Sequence, residues 1–269
     1  MAVGNVQLGS ISISKLVLGG NPFSGFSHQN PDRDAEMRRH FTTARIKETM
    51  RDAESLGINA FLGRADRHII RTLEEYWNEG GKIQWLAQSA PEFAPHTRSI
   101  VNAAKGGASA AYIHGGQMDF WLAQKMFDEI RFAVDTIKDA GLPAGVAGHT
   151  TQVFEWAEEN LDIDFYMCCY YNPTPRGDNA EHVHGAKEHF GDEDRDAMVR
   201  MIAQLGKPVI HYKVFAAGRK DPAEAMDFVA QHLRAQDAVC IGVFPKDKPD
   251  MLREDLALLQ TSLARAGKQ

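Results

Sequence analysis

Eight short apolar runs recur along the 269-residue chain, each following a glycine or a comparable break and leading into a stretch with helical spacing. The runs cover residues 16–19, 60–62, 84–87, 111–114, 144–147, 165–169, 209–212 and 238–242. Eight strand–helix units predict a closed (β/α)8, or TIM, barrel, which typically takes roughly 250 residues. Residues 6–13 precede the first unit and predict a β-hairpin. We expect a single barrel domain over residues 1–269, because no linker or shift in composition divides the chain.

The bulk composition limits the partners of the chain. A net charge of −6 and a pI near 6.0 argue against a nucleic-acid partner, because phosphate binding requires a basic face. The mean hydropathy of −0.36 and the lack of a long apolar run or a signal-like start predict no membrane partner. Cys168, Cys169 and Cys240 lie in predicted strands, which favours buried thiols in a reducing compartment. We therefore expect a cytoplasmic protein that acts on a small molecule.

Barrels of this kind carry their chemistry where the strands end, so the residues that follow each run are the candidates for a site. These positions hold Asn21, Arg64, Asp66, His68, Gln88, His114, His149, Tyr171, Asn172, His211 and Lys213. The imidazole and carboxylate groups of His114, His68, His149 and Asp66 suit acid–base catalysis. Asn21, Arg64, Gln88, Tyr171, Asn172, Lys213 and Arg219 suit the binding of substrate oxygens.

Several of these residues have a structural interpretation as well. An ion pair between Arg64 and Asp66 would only shape its loop, and His149 would equally serve by bonding to loop backbone. Since side chains alternate along a strand, His211 is expected behind Tyr212 if Tyr212 faces the ligand. Lys213 would either contact an anionic or polyol group or form a Schiff base. The turn that ends at Arg219 would suit a phosphate or carboxylate.

Two long loops should cover the mouth of the barrel. Residues 21–41 carry Phe23, Phe26 and His28, and residues 172–194 carry three histidines among many charges. Long loops at this position are more often substrate-covering than decorative. The three histidines of the second loop are His182, His184 and His189. The pair His182 and His184 would suit a metal, but we expect these two side chains to be solvated.

Taken in order, the strand ends resemble the aldo-keto reductase family over nearly the whole chain. The resemblance rests on LVLGGNPF at 16–23, GINAF at 57–61, AYIH at 111–114, GVA at 145–147, YN at 171–172, VIHY at 209–212 and the segment 248–256. It implies a catalytic role for His114 and a platform for a nicotinamide ring at Tyr212. It also implies NADP(H) as the cofactor, with Lys246 as a phosphate contact.

The remaining catalytic set of that family does not carry over. The family uses a tyrosine proton donor tuned by a lysine, an aspartate and a histidine. Around the second strand, the aspartate position falls on Leu62 or Gly63 and the tyrosine position falls on Arg67 or His68. The family's lysine is replaced within residues 87–89. Its carboxamide-binding pair falls on Ala147-Gly148 and its 2′-phosphate arginine on Met251. Hydride reduction needs an acid, and His68 is then the candidate.

A divalent metal is a further possibility, because His114 and His149 end neighbouring strands. Three protein ligands with one open position are typical of a catalytic metal, and Asp66, His68 or His28 would supply the third. No motif in the sequence has the specificity of a helical His-Glu-x-x-His pair.

The sequence supports three hypotheses. The first is a barrel enzyme that acts on a small polar carbonyl or sugar-like substrate by acid–base chemistry, as an isomerase, epimerase or lyase, with His114 opposite His68 or His149. The second is an NAD(P)H-dependent oxidoreductase with a rebuilt proton donor. The third is a barrel that binds a ligand without catalysis. The concentration of titratable groups at the strand ends argues against this third hypothesis.

Overall fold

A computed structural model of the chain describes residues 4–174, 176, 178 and 188–268. Strands β1 (Asn5–Leu8) and β2 (Ile11–Ser14) pair antiparallel as the predicted hairpin. The barrel strands are β3 (Leu16–Gly19), β4 (Ala60–Arg64), β5 (Gln84–Gln88), β6 (Ala110–Ile113), β7 (Ala144–Gly148), β8 (Phe165–Cys169), β9 (Val209–Tyr212) and β10 (Ala238–Ile241). Each coincides with one of the apolar runs to within two residues at either end.

The eight strands pair in parallel in chain order, and β10 pairs with β3 to close the barrel. At the closing seam Cys240 lies beside Val17. The predicted barrel fold is therefore confirmed. The helices around it are α1 (Pro31–His40), α2 (Thr43–Ser55), α3 (Arg67–Asn78), α4 (Thr97–Lys105), α5 (Gly115–Ala123), α6 (Phe127–Asp139), α7 (Thr151–Asn160), α8 (Asp192–Ile202), α9 (Pro222–His232) and α10 (Met251–Arg265), with a 3₁₀ turn at Ala216–Gly218.

The helix ends follow local chemistry. Asn30 and Asp221 accept backbone N–H bonds as N-caps of α1 and α9, and a proline occupies the first turn of each helix. After α2 and α6 the chain turns through Gly57 and Gly141 at φ +81° and +76°, a conformation that costs glycine little. These glycine stops are the ones that the sequence predicts before a strand.

The core has two layers, divided by the barrel wall. In β8, Phe165 and Met167 pack inside the barrel, whereas Tyr166 and Cys168 pack outward against the helices. This alternation is the period of two that a strand imposes. The three cysteines are free and buried, as predicted.

The hairpin closes the end of the barrel at which the strands begin. Leu8 and Ile13 are fully buried against the interior cluster. The Asn59 side chain accepts a hydrogen bond from the Ser14 amide at 2.7 Å, just before β4. Ligands must therefore enter from the opposite end, where the strands terminate. Among the described residues, no helix combines the length and the apolar character that crossing a bilayer requires.

Candidate active site

A cavity of about 240 Å³ lies at the mouth where the strands terminate. Its lining combines the ends of six strands with parts of the covering loops: Asn21, Phe26, His28, Arg64, Gln88, Pro91, Glu92, His114, Gly115, His149, Arg176, Tyr212 and Lys213. Six of the eleven residues predicted from the strand ends meet here, together with Tyr212. The volume corresponds to roughly eight water molecules of about 30 Å³ each, which suits a small polar ligand.

A buried histidine–aspartate pair forms one wall of the cavity. His149, directly after β7, donates from Nδ1 to the Asp119 carboxylate of α5 at 2.6 Å. The second Asp119 oxygen accepts the His149 backbone N–H at 3.1 Å. Both side chains are about 6% exposed. This bonding assigns the proton to Nδ1, so the Nε2 lone pair of His149 is available on the cavity side.

The His149 imidazole is poised as a neutral base. Burial lowers its pKa, and this effect outweighs the opposing attraction of the Asp119 carboxylate. The Tyr212 hydroxyl lies 3.5 Å from His149 Nε2, at the outer limit of a hydrogen bond. A base of this kind, held in one tautomer by a carboxylate, is what general-base catalysis requires.

Glycine at position 115 permits this arrangement. A Cβ atom on Gly115 would lie 2.9 Å from His149 Cε1 and 3.0 Å from the Tyr212 hydroxyl oxygen. A Cβ contact shorter than 3.0 Å essentially never occurs, and the contact with His149 would be one. A larger residue at position 115 would therefore displace the imidazole or the phenol. The glycine after His114 thus serves the neighbouring histidine.

His114 presents a hydrogen-bond donor to the cavity, whereas His149 presents an acceptor. His114 is the N-cap of α5, and its Nδ1 accepts the Gln117 backbone N–H at 3.3 Å. The remaining ring nitrogen, Nε2, therefore carries the proton and acts as a donor. Burial, followed by the positive charge of Arg64, lowers the pKa of His114 well below 6.5, which keeps the ring neutral. A neutral imidazole at a helix N-terminus can polarise a carbonyl oxygen.

Polar groups from β4 and β5 complete this side of the cavity. Arg64 pairs with Glu92 through two guanidinium nitrogens and lies 5.5 Å over the Phe26 ring. Gln88 donates from its amide to the Tyr112 hydroxyl at 3.1 Å, which leaves the amide oxygen as an acceptor. The partner of Arg64 is thus Glu92, whereas the alternative considered from the sequence was an ion pair with Asp66.

The opposite side of the cavity is formed by Lys213 and the loop after β3. His28 lies 2.8 Å from a Glu188 oxygen and lines the cavity. Arg219 does not line it: its guanidinium donates to the carbonyls of His28 and Ala216 and lies 4.3 Å from the Phe190 ring. The predicted anion contact at Arg219 is instead a clamp that ties the β9 turn to the first loop.

A larger groove of about 840 Å³ continues from the cavity toward the end of β10 and α10. The two spaces share Asn21, Phe26, His28, Gln88, Tyr212 and Lys213. The groove is also lined by apolar side chains from β10 onward, including Ile241, Val243 and Phe244. Tyr212 lines both spaces and stands where they meet.

Two residues predicted as catalytic lie elsewhere. Strand β4 runs to Arg64, and the chain then turns into α3 at Arg67. Asp66 is the N-cap of that helix and accepts the Ile69 N–H at 2.9 Å. His68 is exposed in its first turn. The helical turn carries both side chains away from the mouth, so the catalytic roles predicted for Asp66 and His68 are wrong.

Four other predicted residues also serve the fold. Tyr171 is fully buried and packs against Phe190 at 5.4 Å. The backbone N–H of Asn172 donates to the Asp194 carboxylate at 3.1 Å, which ties the segment after β8 to α8. Lys246 is exposed and pairs with Glu36 at 2.7 Å.

The fourth of these residues, His211, is buried behind Tyr212 as expected, in a network with Tyr170 and Asp237. On the second loop, His182 and His184 lie outside the described residues. His189 is exposed and lies 3.2 Å from Glu193.

The metal hypothesis has no third ligand in the described part of the chain. No group of three or more histidine, cysteine or acidic side chains is placed there to hold an ion. Asp66 caps α3, His68 faces solvent and His28 bonds Glu188, so none of the three candidates joins His114 and His149.

Asp119 is one site residue that the pattern of strand ends does not indicate, and Glu92 is another. Asp119 lies on α5, five positions after His114, and not directly after a strand. A signal was present, because acidic residues are almost never fully buried unless paired, and Asp119 is surrounded by apolar residues in the sequence. Its partner, however, comes from the next strand–helix unit and only the folded barrel brings the two together.

No family model matches the chain, and no curated relative does either. Solved structures are similar in fold. The apo form of Gox0644 aligns over 97% of this chain and 94% of its own, with a TM-score of 0.59 and 12% identity. A truncated 3-deoxy-D-arabino-heptulosonate 7-phosphate synthase of Thermotoga maritima covers 100% and 95%, with a TM-score of 0.59 and 11% identity.

A glycerol dehydrogenase of Gluconobacter oxydans is a third match, covering 99% of this chain and 97% of its own, with a TM-score of 0.51 and 12% identity. At these identities the likeness establishes the barrel fold. A synthase and a dehydrogenase share it, so the fold does not choose between redox and redox-neutral chemistry.

Proposed function

We propose that this protein is an enzyme that moves a proton on a small polar carbonyl or sugar-like substrate, in an isomerase, epimerase or lyase reaction. One observation carries the proposal: two neutral histidines of opposite tautomer face the same cavity. His149 presents a lone pair at Nε2, oriented by Asp119. His114 presents an N–H at Nε2, oriented by the Gln117 amide. A base and a hydrogen-bond donor are the two groups that enolisation requires.

In this mechanism a carbonyl oxygen accepts a hydrogen bond from His114. His149 removes a proton from the neighbouring carbon, and negative charge develops on the oxygen. The His114 N–H stabilises that enolate by hydrogen bonding, and the Arg64 guanidinium, which Glu92 holds in place, borders the same cavity. Return of the proton to another face or another carbon gives the isomer or epimer. Positioned acid–base groups contribute roughly 10²- to 10⁴-fold each.

The size of the groove favours a second candidate, a nicotinamide-dependent oxidoreductase. Its volume of about 840 Å³ would admit a ligand much larger than a sugar, and Tyr212 stands at its junction with the cavity. The cations along the groove fit a dinucleotide poorly, because carboxylates already neutralise them. Arg33 pairs with Asp247, and Lys248 pairs with Glu254. We therefore place redox-neutral chemistry first.

Proton exchange in D₂O tests the proposal whichever product the reaction forms. The protein would be incubated with dihydroxyacetone, glyceraldehyde and free hexoses, and loss of each α-carbon proton signal followed by NMR. We expect exchange with at least one compound, abolished by His149→Ala and retained by His68→Ala. His68 is a matched control because it is a solvent-facing histidine outside the cavity. Exchange that survives His149→Ala would contradict the assigned base.

A titration with NADPH, followed by tryptophan fluorescence, separates the remaining hypotheses. Saturable binding at low micromolar concentration, about −8 kcal/mol, together with no exchange would favour the oxidoreductase. Neither exchange nor cofactor binding would favour a barrel that only binds its ligand.

A further inference from the structure

Lys213 occupies a strained position at the mouth of the barrel. It follows β9 directly and has φ +57°, in the left-handed region that side chains rarely adopt. Ala216 and Ala217 of the same turn have φ +50° and +54°. Non-glycine residues held in this region cluster at functional sites. The Lys213 side chain lines both the cavity and the groove.

The Lys213 amine has no fixed partner in the part of the chain that the structure describes. Its ammonium makes neither a hydrogen bond nor an ion pair there, whereas Arg64 and Lys220 each bond a carboxylate. Lys213 lines the same cavity as His114 and His149, so the three side chains border one space. Burial lowers the pKa of Lys213, which favours the neutral amine.

We infer that Lys213 is a nucleophile that forms a Schiff base with the carbonyl carbon of the substrate, between the general base His149 and the donor His114. This inference deepens the proposed function and rests on it. A structural or anion-binding lysine has no need of a base and a neutral donor beside it. A Schiff-base lysine needs both, together with a buried amine that is not tied to a carboxylate.

The step balances without any further reagent. The Lys213 nitrogen attacks the carbonyl carbon, the C–O bond breaks and water leaves, giving a protonated imine. One proton of that water comes from the amine, and the other comes from solvent through His114. His149 then removes the proton from the adjacent carbon, and the electron pair neutralises the imine as an enamine. Reprotonation and hydrolysis release the product and regenerate Lys213.

An ordinary lysine would be a poor nucleophile here. With the usual pKa near 10.4, about one amine in 2,500 is neutral at pH 7. A cavity that disfavours the charged form increases that fraction, and the Lys213 environment does so by burial. The nearby Glu188 and Asp119 carboxylates act in the opposite direction, and Arg176 reinforces burial.

Acetylacetone tests the amine whatever the natural substrate is. A neutral lysine condenses with this small diketone, loses water and forms a conjugated enaminone that absorbs in the near ultraviolet. We expect the band with the intact protein at neutral pH, and expect it to be lost in Lys213→Arg. Lys138→Met is the matched control, because Lys138 lies on α6 and pairs with Asp162. Thermal unfolding of each variant checks the fold.

Peptide mapping of the adduct on the unmodified chain keeps the test independent of any variant. A band that maps to another lysine, or the absence of a band, would overturn the inference. In the D₂O assay, Lys213→Arg should reduce exchange by roughly 10²-fold or more. Retained exchange in Lys213→Arg would make Lys213 an anion contact and overturn the nucleophile.

The two proposals fail in different ways. His149→Ala should keep the acetylacetone band, since the amine is intact, and lose proton exchange. If the band forms on Lys213 but no carbonyl compound exchanges a proton, the reactive amine stands and the proposed proton transfer fails. If exchange depends on His149 but no band forms, the proton transfer stands and the Schiff base fails.

Discussion

The barrel contains two buried histidine–aspartate pairs, and they differ in what the second ring nitrogen does. In the wall, His211 bonds Asp237 through Nε2 at 3.3 Å and the Tyr170 hydroxyl through Nδ1 at 2.9 Å. At the mouth, His149 bonds Asp119 through Nδ1 at 2.6 Å and leaves Nε2 toward the cavity. Both pairs are buried, and burial lowers the pKa of both histidines.

The difference separates a structural pair from a reactive one. Every polar atom of the His211 ring is satisfied, and Asp237 also receives the Arg234 guanidinium and the Val209 amide. Such a network stabilises a fold, since each member would cost desolvation if left alone. The Nε2 atom of His149 has one weak contact, with the Tyr212 hydroxyl at 3.5 Å, and the ring lines the cavity, so a ligand can replace that contact. Burial and a carboxylate partner are shared by the two pairs, so an open nitrogen on a cavity is the informative feature.

The largest expected effect is on catalysis at the mouth. Asp119→Asn replaces the carboxylate that accepts the His149 Nδ1 proton. The imidazole is then no longer held in the tautomer in which Nε2 acts as the base. We expect proton exchange to fall by roughly 10²- to 10⁴-fold with little change in thermal stability. The measurement is the exchange rate in D₂O beside a thermal melt. A variant that retains the rate would show that Asp119 has only a structural role.

The wall pair should behave in the opposite way. Asp237→Asn leaves Arg234 and His211 without their carboxylate, and removing one partner of a buried ion pair typically costs about 3–5 kcal/mol. We expect a reduced free energy of unfolding in urea, and proton exchange per folded molecule close to that of the unchanged protein. Loss of exchange without loss of stability would break the comparison.

Acid should weaken the wall pair with a defined sign. Burial alone would raise the pKa of Asp237, but hydrogen bonds from His211 and Arg234 outweigh it and hold the pKa at about 2. A depressed pKa contributes stability that is complete above the ordinary value of 3.8 and is lost as the pH falls toward 2. The shift corresponds to about 2 kcal/mol.

Urea denaturation between pH 5 and roughly pH 2 measures the contribution of the Asp237 carboxylate to the free energy of unfolding. Asp237→Asn should flatten the acid limb relative to the unchanged protein. An equally steep limb in the variant would assign acid sensitivity to other carboxylates.

The sequence was sufficient to predict the barrel, the hairpin and much of the mouth. Apolar runs and helix-ending glycines are local signals, and the strand ends necessarily meet at one face. It was not sufficient for Asp66 and His68, because β4 continues to Arg64 and a helix then begins at once. The sequence does contain a signal for this helix start. Asp66 is a favoured N-cap residue, and it precedes the apolar face of the helix that begins at Arg67.

Asp119 and Glu92 escaped prediction for another reason. Each pairs with a site residue across some 30 positions, so their partners depend on the way neighbouring units pack. Polar residues at strand ends can be read from the chain, whereas the carboxylates that orient them lie on helices and loops. Only the folded barrel shows that one histidine–aspartate pair lies at the mouth and the other in the wall.

The smallest expected effect is a change in pH dependence, and it sharpens the comparison at the level of His149. The base must be neutral, so exchange should rise with pH through the His149 pKa, which burial holds below 6.5. Asp119 opposes burial by favouring the charged ring. In Asp119→Asn the residual activity should therefore show its acid limb at lower pH than in the unchanged protein. The measurement is exchange rate against pH for both, and a limb that moves to higher pH would show that Asp119 does not carry a negative charge beside His149.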